Sequence, residues 1–163
     1  MTKEFTHLDN KGRHIKMVDV GQKSVTIRIA VARGTLLISE SLFAKLAESE
    51  TIKQNIFTTA KTAGVLAIKN TGQLIPLCHP LNITTANIDM NLGEKNSIQI
   101  ECEVKIQDKT GVEMEAMMGA NIAALTVYDM CKSIDKRIIM RNFGLYKKTG
   151  GKSGDYHNPE LDW

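Results

Sequence analysis

The sequence predicts an α+β fold in which one antiparallel sheet carries two long helices. Two segments, 25–32 and 98–106, alternate apolar and polar residues with the period of two that marks a half-buried strand. The first of them places Arg28 on the face opposite its valines and isoleucines. Two other segments, 55–71 and 110–132, repeat apolar residues at the three- and four-residue spacings of a helix. With 163 residues, the chain is long enough for one domain with its own core.

Capping residues predict where the first two helices begin and end. Ser39 is a favourable N-cap for a short helix over 39–48, because its hydroxyl can accept from a free N–H of the first turn. The longer helix over 55–71 is followed by Gly72, and we expect this glycine to end it.

The remaining strands complete a known arrangement. Alternation continues over 82–92, the sequence LGEKNS at 92–97 predicts a turn, and a last strand follows at 138–147. Without the short helix, the order is strand, helix, strand, strand, helix, strand. This is the β-α-β-β-α-β order of ferredoxin-like folds, so we expect both long helices on one face of the sheet.

We predict a single domain over 1–163, with mobile ends. The N-terminus, at about 1–16, has no apolar signal region. The C-terminal tail, at about 149–163, is rich in Gly and polar residues, and we expect it to be mobile unless a ligand orders it.

Composition narrows the function. The net charge is only +3 and the basic residues are dispersed, which favours a local site for a small phosphorylated molecule over a nucleic-acid surface. The three cysteines lack metal-ligand spacing, so we expect no metal site and a reduced, cytoplasmic protein. No apolar run approaches the roughly 20 residues that span a membrane.

The last helix carries ionisable groups at both ends of an apolar sequence. Thr110 and Glu113 fit the capping box that would start it. One face repeats at helical spacing and consists of Glu115, Met118, Ile122, Leu125, Asp129 and Lys132. A helix separates Glu115 from Asp129 by about 21 Å, which is too far for both to touch one reacting centre. The two ends therefore serve different sites, or a second copy of the chain brings its Glu115 close to this Asp129.

Asp129 and Lys132 allow two interpretations. At a spacing of three, they could form an ordinary surface salt bridge worth a few tenths of a kcal/mol. Their face also carries Ile122 and Leu125, however, and burying an unpaired charge among apolar residues costs several kcal/mol. An aspartate with a pKa tuned by a neighbouring lysine suits proton transfer, and we favour that interpretation.

The segment LIPLCHPL at 74–81 sets Cys78 beside His79 between two prolines. The prolines predict an extended connector that holds the histidine in place, as a ligand contact would require. The alternative is a buried cysteine with a histidine that caps a main-chain carbonyl. A Cys–His nucleophile is disfavoured, because neighbours in an extended segment point to opposite sides.

Five motifs along the chain resemble those of a known family. They are MVDVGQK (17–23), LIPLCHPL (74–81), KTGVEMEA (109–116), ALTVYDMCK (124–132) and KTGGKSGD (148–155). Together they resemble the molybdenum-cofactor biosynthesis protein C family, the cyclic pyranopterin monophosphate synthases. The resemblance implies a ferredoxin-like fold and a homohexamer, a trimer of dimers with active sites at the dimer interfaces.

The resemblance also implies a reaction. A lyase of this family converts cyclised 7,8-dihydroguanosine 5'-triphosphate into cyclic pyranopterin monophosphate and releases pyrophosphate in molybdenum cofactor biosynthesis. It implies no resident cofactor, and leaves open whether Mg²⁺ accompanies the triphosphate.

Family roles can be carried to individual residues. Asp129 matches the catalytic aspartate, and Lys132 its partner as acid or charge stabiliser. The positions that match substrate-binding or pocket residues are Leu77, Cys78, His79, Met114, Glu115, Glu113, Lys53, Lys69, Arg28 and Lys148. The chain departs from the family in having Gly21 after MVDV, where Ser is more frequent, and in its last segment, HNPELDW, which matches nothing assignable.

Two other functions compete with this prediction. An RNA-binding ferredoxin-like domain displays aromatic residues on its sheet, but aromatic residues make up only 5% of this chain. A non-catalytic domain that senses a nucleotide would need the lysines and the loop at 74–81 but would not need Asp129.

Overall fold

A five-stranded antiparallel sheet with two long helices on one face is built from the residues that the structure describes. The computed structural model describes residues 5–9 and 11–163. The elements in chain order are β1 (Thr26–Leu37), α1 (Glu40–Glu48), α2 (Glu50–Leu74), β2 (Thr85–Gly93), β3 (Ser97–Asp108), α3 (Glu113–Cys131), β4 (Ile139–Thr149), β5 (Tyr156–His157) and a 3₁₀ turn (Pro159–Leu161). The sheet order is β2-β3-β1-β4-β5, with β1 antiparallel to both β3 and β4. The predicted ferredoxin-like α+β architecture is confirmed, with one short strand added at the β4 edge.

The core face of β1 is made of small residues. Ala30, Ala32 and Leu36 are 0–1% exposed and belong to the core that the helices cover. Ile27, on the other face, is 56% exposed. Arg28 lies opposite the valines and isoleucines as predicted, but its face is the one under the helices. Because alanine side chains are short, the helices can approach the sheet closely.

Helices α2 and α3 cross through two glycines. A Cβ on Gly64 would lie 2.8 Å from the main-chain oxygen of Gly119. A Cβ on Gly119 would lie 2.7 Å from Cys102 Sγ and 2.8 Å from Ile68 Cδ1, too close for either neighbour to accommodate. Gly64 also faces Ala123, whereas Ile68, one turn later, faces Gly119. Later residues of α2 therefore contact earlier residues of α3, which shows that the two helices are antiparallel.

Helix α2 is longer than the sequence predicts. It begins at Glu50 and continues through Gly72 to Leu74. The prediction that Gly72 ends the helix is wrong. This glycine serves packing instead, since a Cβ there would lie 3.0 Å from Pro80 Cα and 3.1 Å from the carbonyl oxygen of His79. The loop that follows α2 can therefore fold back against the helix.

The predicted capping box at the start of α3 is also wrong. The helix begins at Glu113, and its N-cap residue Val112 makes no side-chain capping bond. The Glu113 carboxylate instead accepts a hydrogen bond from Lys148 Nζ, on β4, at 2.9 Å. Thr110 lies outside the helix. A carboxylate in the first turn still interacts favourably with the helix dipole.

Two other local predictions are confirmed. The Ser39 hydroxyl accepts from the main-chain N–H of Leu42 at 3.3 Å and caps α1. The turn predicted at 92–97 joins β2 to β3, and Lys95 and Asn96 adopt positive φ angles of 54° and 53° there. A tight hairpin needs such angles.

The second half of the predicted C-terminal tail packs against the sheet. The strand β5 pairs with β4, and Leu161 is 6% exposed. On the outer sheet face, the Arg33 guanidinium lies 3.6 Å from the ring centre of Tyr146 and 4.4 Å from that of Trp163. His157 and Trp163 make aromatic and cation–π contacts with the sheet. The expectation that 149–163 is mobile unless a ligand orders it stays a prediction.

The N-terminal region is described in part. The predicted mobile segment, about 1–16, includes residues 1–4 and 10, which lie outside the described residues. In the described part, Leu8 and Ile15 form an antiparallel bridge. No helix of the described chain is both long enough and apolar enough to cross a membrane.

A buried carboxylate joins the end of α3 to the start of α1. Asp135 is 3% exposed. Its two oxygens accept hydrogen bonds from the main-chain N–H groups of Ser39 at 2.7 Å and Arg137 at 2.9 Å. The bond from Arg137, followed by that from Ser39, lowers the pKa of Asp135.

Asp135→Asn should therefore destabilise the protein at neutral pH but not in acid. An amide can accept at only one of its two terminal atoms, while two N–H groups need an acceptor. Because folding lowers the pKa of this carboxyl, its stabilising effect is present above the ordinary pKa of 3.8 and disappears as the pH falls through the lower folded value. Urea-unfolding midpoints, measured at one protein concentration, should differ most at neutral pH and converge below about pH 4. A difference between the two midpoints that does not change with pH would show that the charge of Asp135 is not needed to connect the end of α3 to the start of α1.

Candidate active site

A cavity of about 390 Å³ lies between the loop after α2, the start of α3 and the end of β4. Eight of the twelve predicted site residues line it. They are Arg28, Leu77, Cys78, His79, Glu113, Met114, Glu115 and Lys148. These residues come from four separate parts of the chain, and only the fold brings them together.

The loop after α2 presents its side chains through a tight turn. The main-chain N–H of Cys78 donates to the carbonyl of Ile75 at 3.0 Å, so the segment turns where an extended connector was predicted. The turn lets both Cys78 and His79 line the cavity. Burial raises the pKa of the Cys78 thiol, and the nearby Glu115 raises it further. A protonated thiol is a poor nucleophile, so this cysteine serves as a neutral part of the wall.

Glu115 contributes a buried carboxyl group. The residue is 3% exposed, and burial raises its pKa, with the neighbouring Glu113 acting in the same direction. A raised pKa brings a carboxyl group closer to the pH at which it can both accept and release a proton. Glu115 is therefore suited to proton transfer within the cavity.

Arg28 is held by main-chain carbonyl groups. Its Nε donates to the oxygen of Asp108 at 3.0 Å, and its Nη2 donates to that of Lys109 at 2.9 Å. Both acceptors are uncharged, so the positive charge of the guanidinium is not cancelled. Gly151, with a φ of +81°, packs against Nη1 and leaves no room for a Cβ. The glycine-rich segment after β4 therefore fits closely over the guanidinium.

Lys148 and Glu113 form an ion pair at the cavity wall. Their Nζ–Oε1 distance is 2.9 Å, and both side chains are about three-quarters buried, with exposures of 25% and 29%. Lys148 Nζ also donates to Ser153 Oγ at 3.4 Å. The pair links β4 to the start of α3 and so closes one side of the cavity.

The structure adds residues that the sequence prediction missed. Lys23 and Ser153 line both this cavity and an adjoining open cleft of about 1110 Å³, which Lys152 also lines. Each lies inside a quoted motif, so the motif itself was the available signal. Thr6 and His7 also line the cavity, and no local pattern predicts this because a separate hairpin brings them there.

Asp129 and Lys132 lie elsewhere, near the last turn of α3. Lys132 Nζ donates to Asp129 Oδ1 at 2.6 Å, and this bond raises the pKa of Lys132. The lysine and aspartate side chains are 54% and 70% exposed, and Leu125 on the same face is 52% exposed. The C-terminal part of this face is therefore exposed in a single chain, although Glu115 at its other end is buried. The core face of α3 is instead its small-residue stripe, Ala116, Gly119, Ala120, Ala123, Ala124 and Val127.

The two remaining predicted residues lie at opposite ends of the helix pair. Lys53, in the first turn of α2, forms an ion pair with Glu50 at 2.7 Å. Because the helices are antiparallel, Lys53 lies at the Asp129 end. Lys69 lies at the other end and shares a small cleft with Glu115. The predicted residues therefore form two groups separated by about 21 Å.

The acids, histidines and cysteines do not form an obvious metal site. No three of their side chains converge in the described ranges, 5–9 and 11–163. The groups in this cavity that can take part in chemistry are its cationic side chains, the buried carboxyl group of Glu115 and histidine.

Comparison with known proteins links this arrangement to one family. Residues 17–151, which contain all twelve predicted site residues, match the MoaC family. A cyclic pyranopterin monophosphate synthase of Clostridium perfringens (strain 13 / Type A) is 47% identical over 158 residues, which cover 96% of this chain and 99% of the relative. A protein of the same name from Natranaerobius thermophilus is 46% identical over 159 residues, covering 97% and 99%. Another, from Desulforapulum autotrophicum, is 46% identical over 155 residues, covering 94% of each chain.

Gly151→Ala should weaken anion binding at the cavity. The added Cβ would displace the Arg28 guanidinium, whereas Gly154→Ala provides a control in the same segment. Both glycines have positive φ, so both substitutions carry the same backbone strain, but a Cβ at Gly154 meets no atom within 4 Å. We expect the affinity for pyrophosphate, measured by calorimetry, to fall about tenfold more for Gly151→Ala than for Gly154→Ala. Equal losses would show that only backbone strain matters.

Proposed function

Because the chain belongs to the MoaC family, we propose that it is a cyclic pyranopterin monophosphate synthase in molybdenum cofactor biosynthesis. Its substrate is cyclised 7,8-dihydroguanosine 5'-triphosphate, and its products are cyclic pyranopterin monophosphate and pyrophosphate, which makes it a lyase. The observation that carries the proposal is the convergence of eight predicted site residues on one cavity, seven of which lie in the five quoted motifs. Its three unpaired cysteine thiols support a reducing, cytoplasmic location.

The cationic side of the cavity suits the triphosphate. Arg28, Lys23 and Lys148 line it, and Arg28 keeps its full charge because its partners are carbonyl groups. Cations that face the phosphate oxygens stabilise the negative charge that moves onto pyrophosphate as it leaves. The described residues offer no set of three acidic, histidine or cysteine ligands, so a Mg²⁺ ion that accompanies the substrate would be held mainly by phosphate oxygens.

The other side of the cavity suits the ring rearrangement. Rebuilding the ring system needs repeated proton transfers. Glu115, with its raised pKa, can hold or release a proton, and His79 lines the same space. Cys78 and Leu77 give this end a neutral surface, which strengthens the electrostatic effect of the nearby carboxyl group.

A complete site needs a second copy of the chain. Asp129 lies about 21 Å from Glu115 along α3 and Lys132 lies beyond Asp129, so one chain cannot bring all three to one reacting centre. In a two-fold dimer, the partner's Asp129 end would meet this chain's cavity, and Lys53 would arrive with it. The exposed Leu125 beside Asp129 provides apolar surface for such a contact. The dimer would be the unit of a hexamer, which rests on the family resemblance alone.

In that arrangement, Asp129 acts as the catalytic base and Lys132 as its partner. The hydrogen bond to Asp129 raises the pKa of Lys132 and keeps the ammonium group protonated. A charged lysine can stabilise negative charge on the reacting group while the aspartate takes the proton. The exposure of Asp129 and Lys132 is also compatible with an ordinary surface salt bridge that has no catalytic role. In that case the protein would be a non-catalytic domain that senses a nucleotide.

Asp129→Asn distinguishes the enzyme from the sensor. The purified parent protein should convert the cyclised triphosphate into pyrophosphate and a pterin product, both detected directly. The variant should lose at least about 99% of the turnover, because general-base catalysis contributes 10²- to 10⁴-fold. Its thermal stability and substrate affinity should change little, since an amide of the same shape replaces the carboxylate. A parent protein that binds the substrate without converting it would favour the sensor.

Mixed assemblies test the shared site. Glu115→Gln and Asp129→Asn chains should each be nearly inactive alone. When the two are unfolded and refolded together, random pairing across a symmetric interface leaves about one site in four with both native groups. Activity should therefore return to about a quarter of the parent's value, by the same pairing argument. If differently tagged chains co-purify and activity does not return, the two residues do not meet across an interface.

A further inference from the structure

A hairpin ahead of the first strand brings a second histidine to the cavity. In the described ranges 5–9 and 11–16, the N–H of Lys16 donates to the carbonyl of His7 at 2.9 Å, and the N–H of Asp9 donates to that of His14 at 2.9 Å. The Asp9 carboxylate accepts from the N–H of Arg13 at 2.7 Å. These bonds give the hairpin a defined shape without any contribution from the sheet.

His7 lines the cavity, and one main-chain contact orients its exposed side chain. Its Nδ1 lies 3.2 Å from the carbonyl oxygen of Lys16. A carbonyl oxygen can only accept, so in this contact Nδ1 carries the hydrogen. In the neutral imidazole, Nε2 is then the unprotonated nitrogen and an acceptor. The main chain of the hairpin therefore selects the tautomer.

An acceptor here complements the rest of the cavity. Arg28, Lys148 and Lys23 can only donate. One oxygen of Glu113 already accepts from Lys148, so Nε2 of His7 adds an acceptor beside the carboxyl group of Glu115. Phosphate oxygens are acceptors and would take the cationic side. The sugar and ring part of the substrate carries hydroxyl and N–H donors, and these need acceptors.

We propose that His7 is a substrate-binding residue whose Nε2 accepts a hydrogen bond from a hydroxyl or N–H group of the sugar and ring part of the substrate. The identity of that substrate rests on the proposed function. The hairpin is then part of the site, and its described residues contribute to substrate selectivity through His7.

Three variants test this assignment. His7→Leu keeps the bulk of the side chain and removes its polar atoms, while His7→Gln keeps an acceptor. His14→Leu is the matched control, because His14 belongs to the same hairpin, is exposed and does not line the cavity. We expect His7→Leu to lower kcat/KM about tenfold, chiefly through KM, as for the loss of one hydrogen bond. His7→Gln should recover part of this loss, and His14→Leu should match the parent.

Two further measurements separate binding from hairpin folding and from phosphate contact. If the hairpin stays folded in His7→Leu, trypsin should cleave after Lys11, Arg13 and Lys16 at the parent's rate. Faster cleavage would mean that His7 stabilises the hairpin, and this result would overturn the proposal. Pyrophosphate affinity should be unchanged, and a loss there would mean that His7 contacts phosphate instead. Full activity of His7→Leu beside an active parent would also overturn the assignment of His7, whereas an inactive parent would instead refute the proposed function.

Discussion

The contact between Gly64 and Gly119 determines how the site is built. Any side chain on Gly119 would collide with Cys102 and Ile68, so α3 rests directly on the sheet and on α2. Glu115 lies one turn before Gly119, and the close approach buries its carboxyl group between the helices and the loop after α2. A wider spacing between the helices would let water reach that group and return its pKa toward the ordinary value. The raised pKa of Glu115 therefore depends on a backbone contact one helical turn away.

The cavity keeps positive and negative groups available in different ways. Arg28 is fixed by two carbonyl groups, which orient it without cancelling its charge. Lys148 is fixed by Glu113, which neutralises most of its charge and makes the pair a structural link. Of these two cations, Arg28 therefore keeps more of its charge available, and it lies beside the glycine-rich segment at Gly151. Substrate phosphates would be drawn to that side of the cavity.

The antiparallel helix pair explains why the predicted site residues form two groups in one chain. Both helices carry predicted site residues near each end, and the two helices run in opposite directions. Glu115 and Lys69 consequently share one end, while Asp129 and Lys53 share the other. A dimer with a two-fold axis would use both ends of each chain, so every functional residue would belong to a site.

Much of the fold follows from the sequence alone, because periodicity reports which side of an element is buried. Strand alternation and helix spacing predicted the order of the main elements, and the family resemblance predicted eight residues that meet in the cavity. Helix ends were less predictable. Gly72 stays within α2 because the loop packs against it, and Glu113 leaves its capping role because Lys148 binds it. Both outcomes depend on residues distant in the sequence.

The choice of the buried helix face also needed the tertiary structure. A spacing of three and four fits two different faces of α3, and the sequence pattern cannot decide between them. The small-residue face of α3 is the buried one, because only small side chains allow the glycine contact with α2. As a result, Asp129 and Leu125 are exposed. His7 shows the same limit, since main-chain hydrogen bonds of a hairpin carry it to the cavity. The sequence by itself determined the elements and the chemical groups, and three-dimensional packing decided which of those groups meet, because close contact depends on distances that no local pattern encodes.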